Sequence, residues 1–188
     1  LDRYEPDPLR YVVASNMPET SDSDFSWKEY VRSNNDELVA TYGNLVHRVL
    51  TMTVRNFDGR VPEPGTLDGA SCEFLDQAES CIEEVGGHVE ACSFRMGLAS
   101  AMSLAHSANR YLDRKEPWRA IRSDRDDAAK TLWVALAAIN CLKTLLCPFL
   151  PFSSEKLHTM LGLDGRVLEG GWRWDREELR PGNRLQTP

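Results

Sequence analysis

The residues best suited to chemistry lie in one stretch, NRYLDRKEPWRAIRSDR, from Asn109 to Arg125. Pro117 has no amide proton and pushes Glu116 out of the helical region, so the chain must bend there. The bend delivers Trp118 beside Arg110, Arg114, Lys115, Arg119, Arg122 and Arg125, with Asp113, Glu116 and Asp124 among them. A tryptophan on a corner among cations is equipped to stack an unpaired base and hold its phosphate. The alternative is that Trp118 closes the end of a helix bundle and the charges are a solvated face. A second pair stands earlier in the chain, Asn44 and Arg48, one helical turn apart. Together they offer an amide for a base edge and a guanidinium for phosphate or stacking; the alternative is again a solvated face.

Other reactive residue types form no such set. His47, His88, His106 and His158 show no carboxylate or cysteine at relay spacing on their own faces, which argues against catalysis within these residues. The cysteines, at 72, 81, 92, 141 and 147, are odd in number and lack C-x-x-C spacing. Most fall at apolar helical positions, as small buried hydrophobes in a reducing cytoplasm do, and no metal site is expected.

The elements that position these residues follow from periodicity. Asp7-Pro8 suits the start of a short helix, aspartate as cap and proline at the first position. A polar loop over residues 19–24 leads to another at Trp27–Arg32, capped by Asp24 or Ser26. From Asn35 to Asn56, Leu38, Tyr42, Leu45, Val49 and Met52 recur at three- and four-residue steps, with Val39, Val46 and Thr53 beside them. Asn44, Arg48 and Arg55 fall on the far side. Val61-Pro62-Glu63-Pro64-Gly65 is a linker. Three further long helices are expected: Asp68 to Val85, ended by Gly86-Gly87; Val89 to Arg114; and Asp124 to Leu146. Ser153 and Ser154 can cap a last helix to Leu161, closed by Gly162. The pattern is all-α, a bundle of four main helices with short flanking ones. Trp172 and Trp174 sit in a tail that can pack back on the bundle.

With 188 residues, 41% hydrophobic and 27% charged, the chain can bury a core. A net charge of -7 argues against a nonspecific grip on duplex DNA. Residues 131–152 reach transmembrane length, but Asn140, Lys143, Pro148 and Pro151 favour a buried central helix over a membrane span. No signal peptide opens the chain, and the first residue is not methionine, as in a piece of a longer protein.

Read together, YEPDPLRYVVASNMPETSDSDFSWKEY, NNDELVATYGNLVHRVL, NRYLDRKEPW and LLCPFLPFSSEKLHTMLG resemble the C-terminal part of the methionyl-tRNA synthetases, class I aminoacyl-tRNA synthetases. The resemblance implies a stem-contact segment over 1–33 that follows an absent catalytic core, an anticodon-binding bundle over 34–165, and a truncated tail over 166–188. It implies that Asn44, Arg48, Pro117 and Trp118 recognise the CAU anticodon of initiator and elongator tRNA-Met, and that Asp113 repels wrong anticodons. Neither HIGH, KMSKS nor a zinc-knuckle cysteine set occurs. The resemblance therefore implies a cytoplasmic methionine–tRNA ligase whose ATP-Mg chemistry, and any zinc, lie outside this chain, which would not aminoacylate alone. Its partners would be tRNA-Met and the catalytic domain of the same polypeptide, with no membrane and no DNA. A helical protein-interaction scaffold, with Trp118 as the partner's anchor, is the competing class.

Overall fold

The segment TLWVALAAINCLKTLL is apolar on every side, and a helix of that kind is stable only where protein surrounds it. In the computed structural model, which describes residues 5–19, 22 and 24–188, it belongs to the central helix. Numbered in chain order, the α-helices are α1 (Pro6–Ser15), α2 (Trp27–Ser33), α3 (Asn44–Asn56), α4 (Gly69–Glu90), α5 (Phe94–Lys115), α6 (Pro117–Ser123), α7 (Arg125–Leu146) and α8 (Pro151–Met160). A π-helical segment, Asn34–Gly43, joins α2 to α3. The central helix α7 is long and apolar enough to cross a membrane, yet 94% of that window is buried inside the protein. Around it stand α3, α4, α5, α6 and α8. The architecture is all-α, as the periodicity requires, and the described residues contain no strand.

Several boundaries differ from the sequence reading for definable reasons. The break expected near Asn34-Asn35 is absent: Ser33, Asn34, Gly43 and Asn44 all keep right-handed helical backbone, so α2, the π segment and α3 form one continuous rod. A π turn rotates each residue less than an α turn does, so the stripe slips. Tyr42, Leu45 and Val49 are buried as expected, but Val39 is 58% exposed, and Leu50 replaces Met52 in the core. Return to α geometry occurs at Gly43, where a Cβ would lie 2.9 Å from the Leu38 carbonyl oxygen. Only glycine fits there without displacing backbone.

Gly86-Gly87 does not end α4, which runs on to Glu90. The bareness of Gly86 admits Trp172 of the tail: a Cβ would sit 2.7 Å from its Nε1, and that indole donates to the Ile82 carbonyl, 3.0 Å away. Trp172 and Trp174 thus pack back on the core. The turn at Cys92, with φ of +56°, then delays α5 to Phe94.

Asp7 is not the cap of its own helix. Glu5 holds that position and Pro6 the first turn, while Asp7 is buried and its Oδ2 accepts from Ser153 N of α8, 2.6 Å away. The serines expected to cap α8 make no such bond. Likewise Ser26 stands at the N-cap of α2 without a capping hydrogen bond. Asp68 and Asp124 cap α4 and α7 as their positions suggest. Thr20, Ser21 and Ser23 of the expected polar loop lie outside the described residues, as do residues 1–4.

Three of the five cysteines, Cys81, Cys141 and Cys147, are buried, and burial pushes the Cys81 thiol up to about 11. Cys72 and Cys92 are exposed, against the general expectation of burial, because they fall on the solvent side of α4 and in the turn after it.

Candidate nucleic-acid interface

Two helical elements meet at the corner that Pro117 creates. Glu116 adopts left-handed backbone, φ 46° and ψ 52°, between α5 and α6. That conformation is uncommon for a residue with a Cβ and lets the chain stop one helix and start another without a loop. Pro117 is buried at the first position of α6, which needs no amide hydrogen there, and Trp118 follows, 38% exposed.

Arg48 reaches the corner from α3. Its guanidinium carbon lies 5.2 Å from the Trp118 ring centroid, and its Nη2 lies 3.1 Å from Asp113 Oδ1 on the last turns of α5. Arg48, Asp113 and Trp118 are therefore one cluster drawn from three helices. Asn109, one turn before Asp113, donates to the Thr41 carbonyl at 3.1 Å and to the Ala105 carbonyl at 3.2 Å, tying α5 to the π segment. That tie sets the height at which Arg48 meets Asp113. Asn44 is exposed one turn before Arg48 at the first position of α3, on the rim of an apolar groove of about 560 Å³ between the rod and α8.

The cations do not ring Trp118 as the linear sequence suggests. Lys115 is held by Asp68, at the start of α4, with Asp127 at 4.0 Å. Its ammonium keeps the Asp68 carboxyl at about 2. Arg119 pairs with Glu116 at 2.8 Å. Arg125 turns to α3, donating to the Asn56 carbonyl at 2.5 Å and lying 4.8 Å from the centroid of the Phe57 ring. Arg110 and Arg114 are exposed on the α4 side of α5. The cation that lies over the indole comes from α3, sixty-five residues away from Asp113 in sequence, and local spacing carries no sign of that meeting.

Two of the histidines meet polar partners among the described residues. His88 Nε2 does lie 3.9 Å from Glu84 Oε1 one turn earlier, a pairing the sequence reading overlooked. His158 is buried, its Nδ1 3.1 Å from Lys143 Nζ and its Nε2 3.0 Å from the Asp164 carbonyl. Among the described residues, no three His, Cys, Asp or Glu side chains gather closely enough to hold a metal ion.

Residues 61–188 match the family model described as the anticodon binding domain of methionyl tRNA ligase, and residues 1–50 match that for class I tRNA synthetases (M). The chain belongs to the methionyl-tRNA ligase anticodon-binding family. It is 45% identical, along its whole length, to a methionine–tRNA ligase of Thermomicrobium roseum and 47% identical to that of Roseiflexus castenholzii, covering 36% of each. The methionyl-tRNA synthetase of Mycobacterium tuberculosis, in its apo crystal structure, superposes with a TM-score of 0.89 at 29% identity, over 97% of this chain and 37% of that one. This anticodon-binding family member thus spans a little over a third of the length of these relatives. Its corner straddles both matches: Arg48 falls in the class I model, Asp113, Pro117 and Trp118 in the anticodon-binding one. Asn44, also in the class I model, makes no side-chain hydrogen bond to any of them among the described residues and lies on the groove towards α8.

Proposed function

We propose that this chain reads the CAU anticodon of tRNA-Met for a methionine–tRNA ligase. The observation that carries this reading is the convergence of Arg48, Asp113 and Trp118 on one exposed corner, in a chain of this family. The first anticodon base stacks on the indole, Asn44 or nearby backbone reads its edge, and Arg48 bridges to the neighbouring base or phosphate.

The magnitudes allow that exchange. An exposed cation–π contact is worth about 0.5–1 kcal/mol and an exposed ion pair about 0.2–1 kcal/mol. Base–aromatic stacking is worth about 1–3 kcal/mol, so a base can take over the indole face that Arg48 now covers. Released from the ring, Arg48 remains within reach of RNA phosphate. Asp113, 64% exposed at its side chain, is paired with Arg48, and it places negative charge where a misfitted backbone would fall. Charging of initiator and elongator tRNA-Met, with ATP-Mg and any zinc, belongs to the catalytic part of the same polypeptide, outside these residues and in the cytoplasm.

The test is binding of this chain to an anticodon stem-loop bearing CAU against one with a changed first base. Trp118→Ala is expected to weaken the CAU complex by about ten- to a hundredfold and to erase most of the difference between the two RNAs. Equal binding by parent and variant overturns the reading. An interaction scaffold predicts instead no RNA binding, and a protein complex held through Trp118 with little dependence on salt.

A further inference from the structure

The groove between α4 and α5 holds two arginines that, among the described residues, form no ion pair, although Glu73 lines the same groove. Arg110 and Arg114 stand one turn apart on α5, about 6 Å of helical rise, and both are exposed. Neither guanidinium has a carboxylate within ion-pair distance among the described residues, unlike Arg48, Lys115 and Arg119 around the corner itself. With Gln77, Ser107, Tyr111 and Glu73 they line an open cavity of about 380 Å³.

The arrangement is anchored. Ser107 is buried, and its hydroxyl accepts from Arg110 Nη2 at 2.9 Å and from Gln77 Nε2 at 3.3 Å. One donor of Arg110 is thereby fixed at the groove that it lines. Beneath, Tyr111 stacks on Phe74 at 5.0 Å and its hydroxyl meets Ser71 Oγ at 2.8 Å, which holds the two helices at constant separation. The groove and the corner share the last turns of α5: Arg114 follows Asp113 in the chain, and Asp113 touches Arg48.

We propose that Arg110 and Arg114 form a phosphate-backbone site that holds the RNA strand beside the nucleotide stacked on Trp118. The inference rests on the anticodon reading above but adds to it a contact indifferent to base identity. Glu73 on the opposite wall opposes capture of a free anion, so the site is built for a phosphate delivered by an RNA already held at the corner. Inorganic phosphate is accordingly expected not to bind.

The experiment compares this chain with its Arg110→Gln/Arg114→Gln variant, titrating the CAU stem-loop and the changed-base stem-loop between 50 and 200 mM salt. Each single-strand phosphate contact adds roughly 0.7 to the logarithmic salt slope. Removing both cations should lower the slope by about 1.4, so the parent should lose about sevenfold more affinity than the variant over that range. Both RNAs should weaken by the same factor, and Arg110→Lys/Arg114→Lys should restore the slope, since phosphate accepts a point charge. Replacing Arg173 and Arg180 of the tail controls for net charge and should leave the slope unchanged. An unchanged slope in the glutamine variant overturns this inference while leaving anticodon reading intact. A parent that binds both stem-loops equally, with the slope still falling in the variant, overturns the anticodon reading and keeps the backbone site. Absence of any RNA binding by the parent sinks both.

Discussion

At the residue scale the structure makes Asp113 more than a bystander. Its carboxylate is 3.1 Å from Arg48, whose guanidinium lies over Trp118, so the acid helps hold the cation on the indole. Both partners are partly solvated, with side-chain exposures of 29% for Arg48 and 64% for Asp113, so the pair contributes little to folding. Its consequence is for binding. Asp113→Asn keeps the shape, removes the charge and frees Arg48. The variant should unfold in urea at nearly the parent's midpoint but bind stem-loops a few-fold more tightly, with the changed-base RNA gaining more than CAU. A variant that discriminates as well as the parent would show that Asp113 has no part in selection. The types and spacing of Asn44, Arg48, Asp113, Pro117 and Trp118 were legible in sequence, because each pair sits within one or two helical turns. The partnership of Arg48 with the indole was not, since it depends on how two helices distant in the chain pack.

At the element scale glycine is the residue whose role the sequence hides. A Gly-Gly pair after an amphipathic run reads as a helix stop because glycine weakens helices. Here α4 continues through it, since Gly86 is the notch that seats Trp172, a partner far along the chain. The long apolar runs, by contrast, were readable from composition alone, and α7 fell where its pattern placed it. The π segment had no readable signal, because its stripe differs from an α stripe by a small rotation over ten residues. The two glycines should respond oppositely to the same substitution. A methyl group added at Gly87 would meet nothing within 4 Å, so Gly87→Ala should stabilise the chain by roughly 0.5–1 kcal/mol. Gly86→Ala gains the same helical propensity, yet it places a methyl 2.7 Å from the Trp172 nitrogen and must unseat it. Its net effect should be destabilising by about 1 kcal/mol, given the loss of a hydrogen bond and indole packing. Urea melts of the two variants side by side decide it; equal stabilisation by both would show that the tail is not seated through this notch.

At the scale of the whole molecule, a few charged contacts bind distant parts of the chain to the bundle. Glu178 of the tail lies 3.7 Å from the buried Lys143 of α7 and accepts from Asn140 at 2.8 Å, while Arg176 reaches Asp76 and Glu79 of α4. Near the corner, Lys115 at the end of α5 meets Asp68, which also caps α4 through Ser71 N at 2.9 Å. This last contact closes the α4–α5 pair at the end where the candidate interface lies, and it titrates. The hydrogen bond from Lys115 holds the Asp68 carboxyl at about 2, below its ordinary 3.8. A folded-state value below the unfolded one means that the stabilisation is fully present above about pH 4 and is lost as pH falls toward the folded value. Asp68→Asn separates the two roles of this residue, because asparagine is as good a cap as aspartate but carries no charge to pair with Lys115. The variant should therefore be less stable than the parent at pH 6, and the gap should narrow as pH falls from about 4 to 2, where the parent's own carboxylate is being protonated. Urea midpoints measured across that window test it. A gap that stays constant with pH would assign the contribution of Asp68 to capping and packing, and would remove Lys115 from the forces that hold this end of the bundle together.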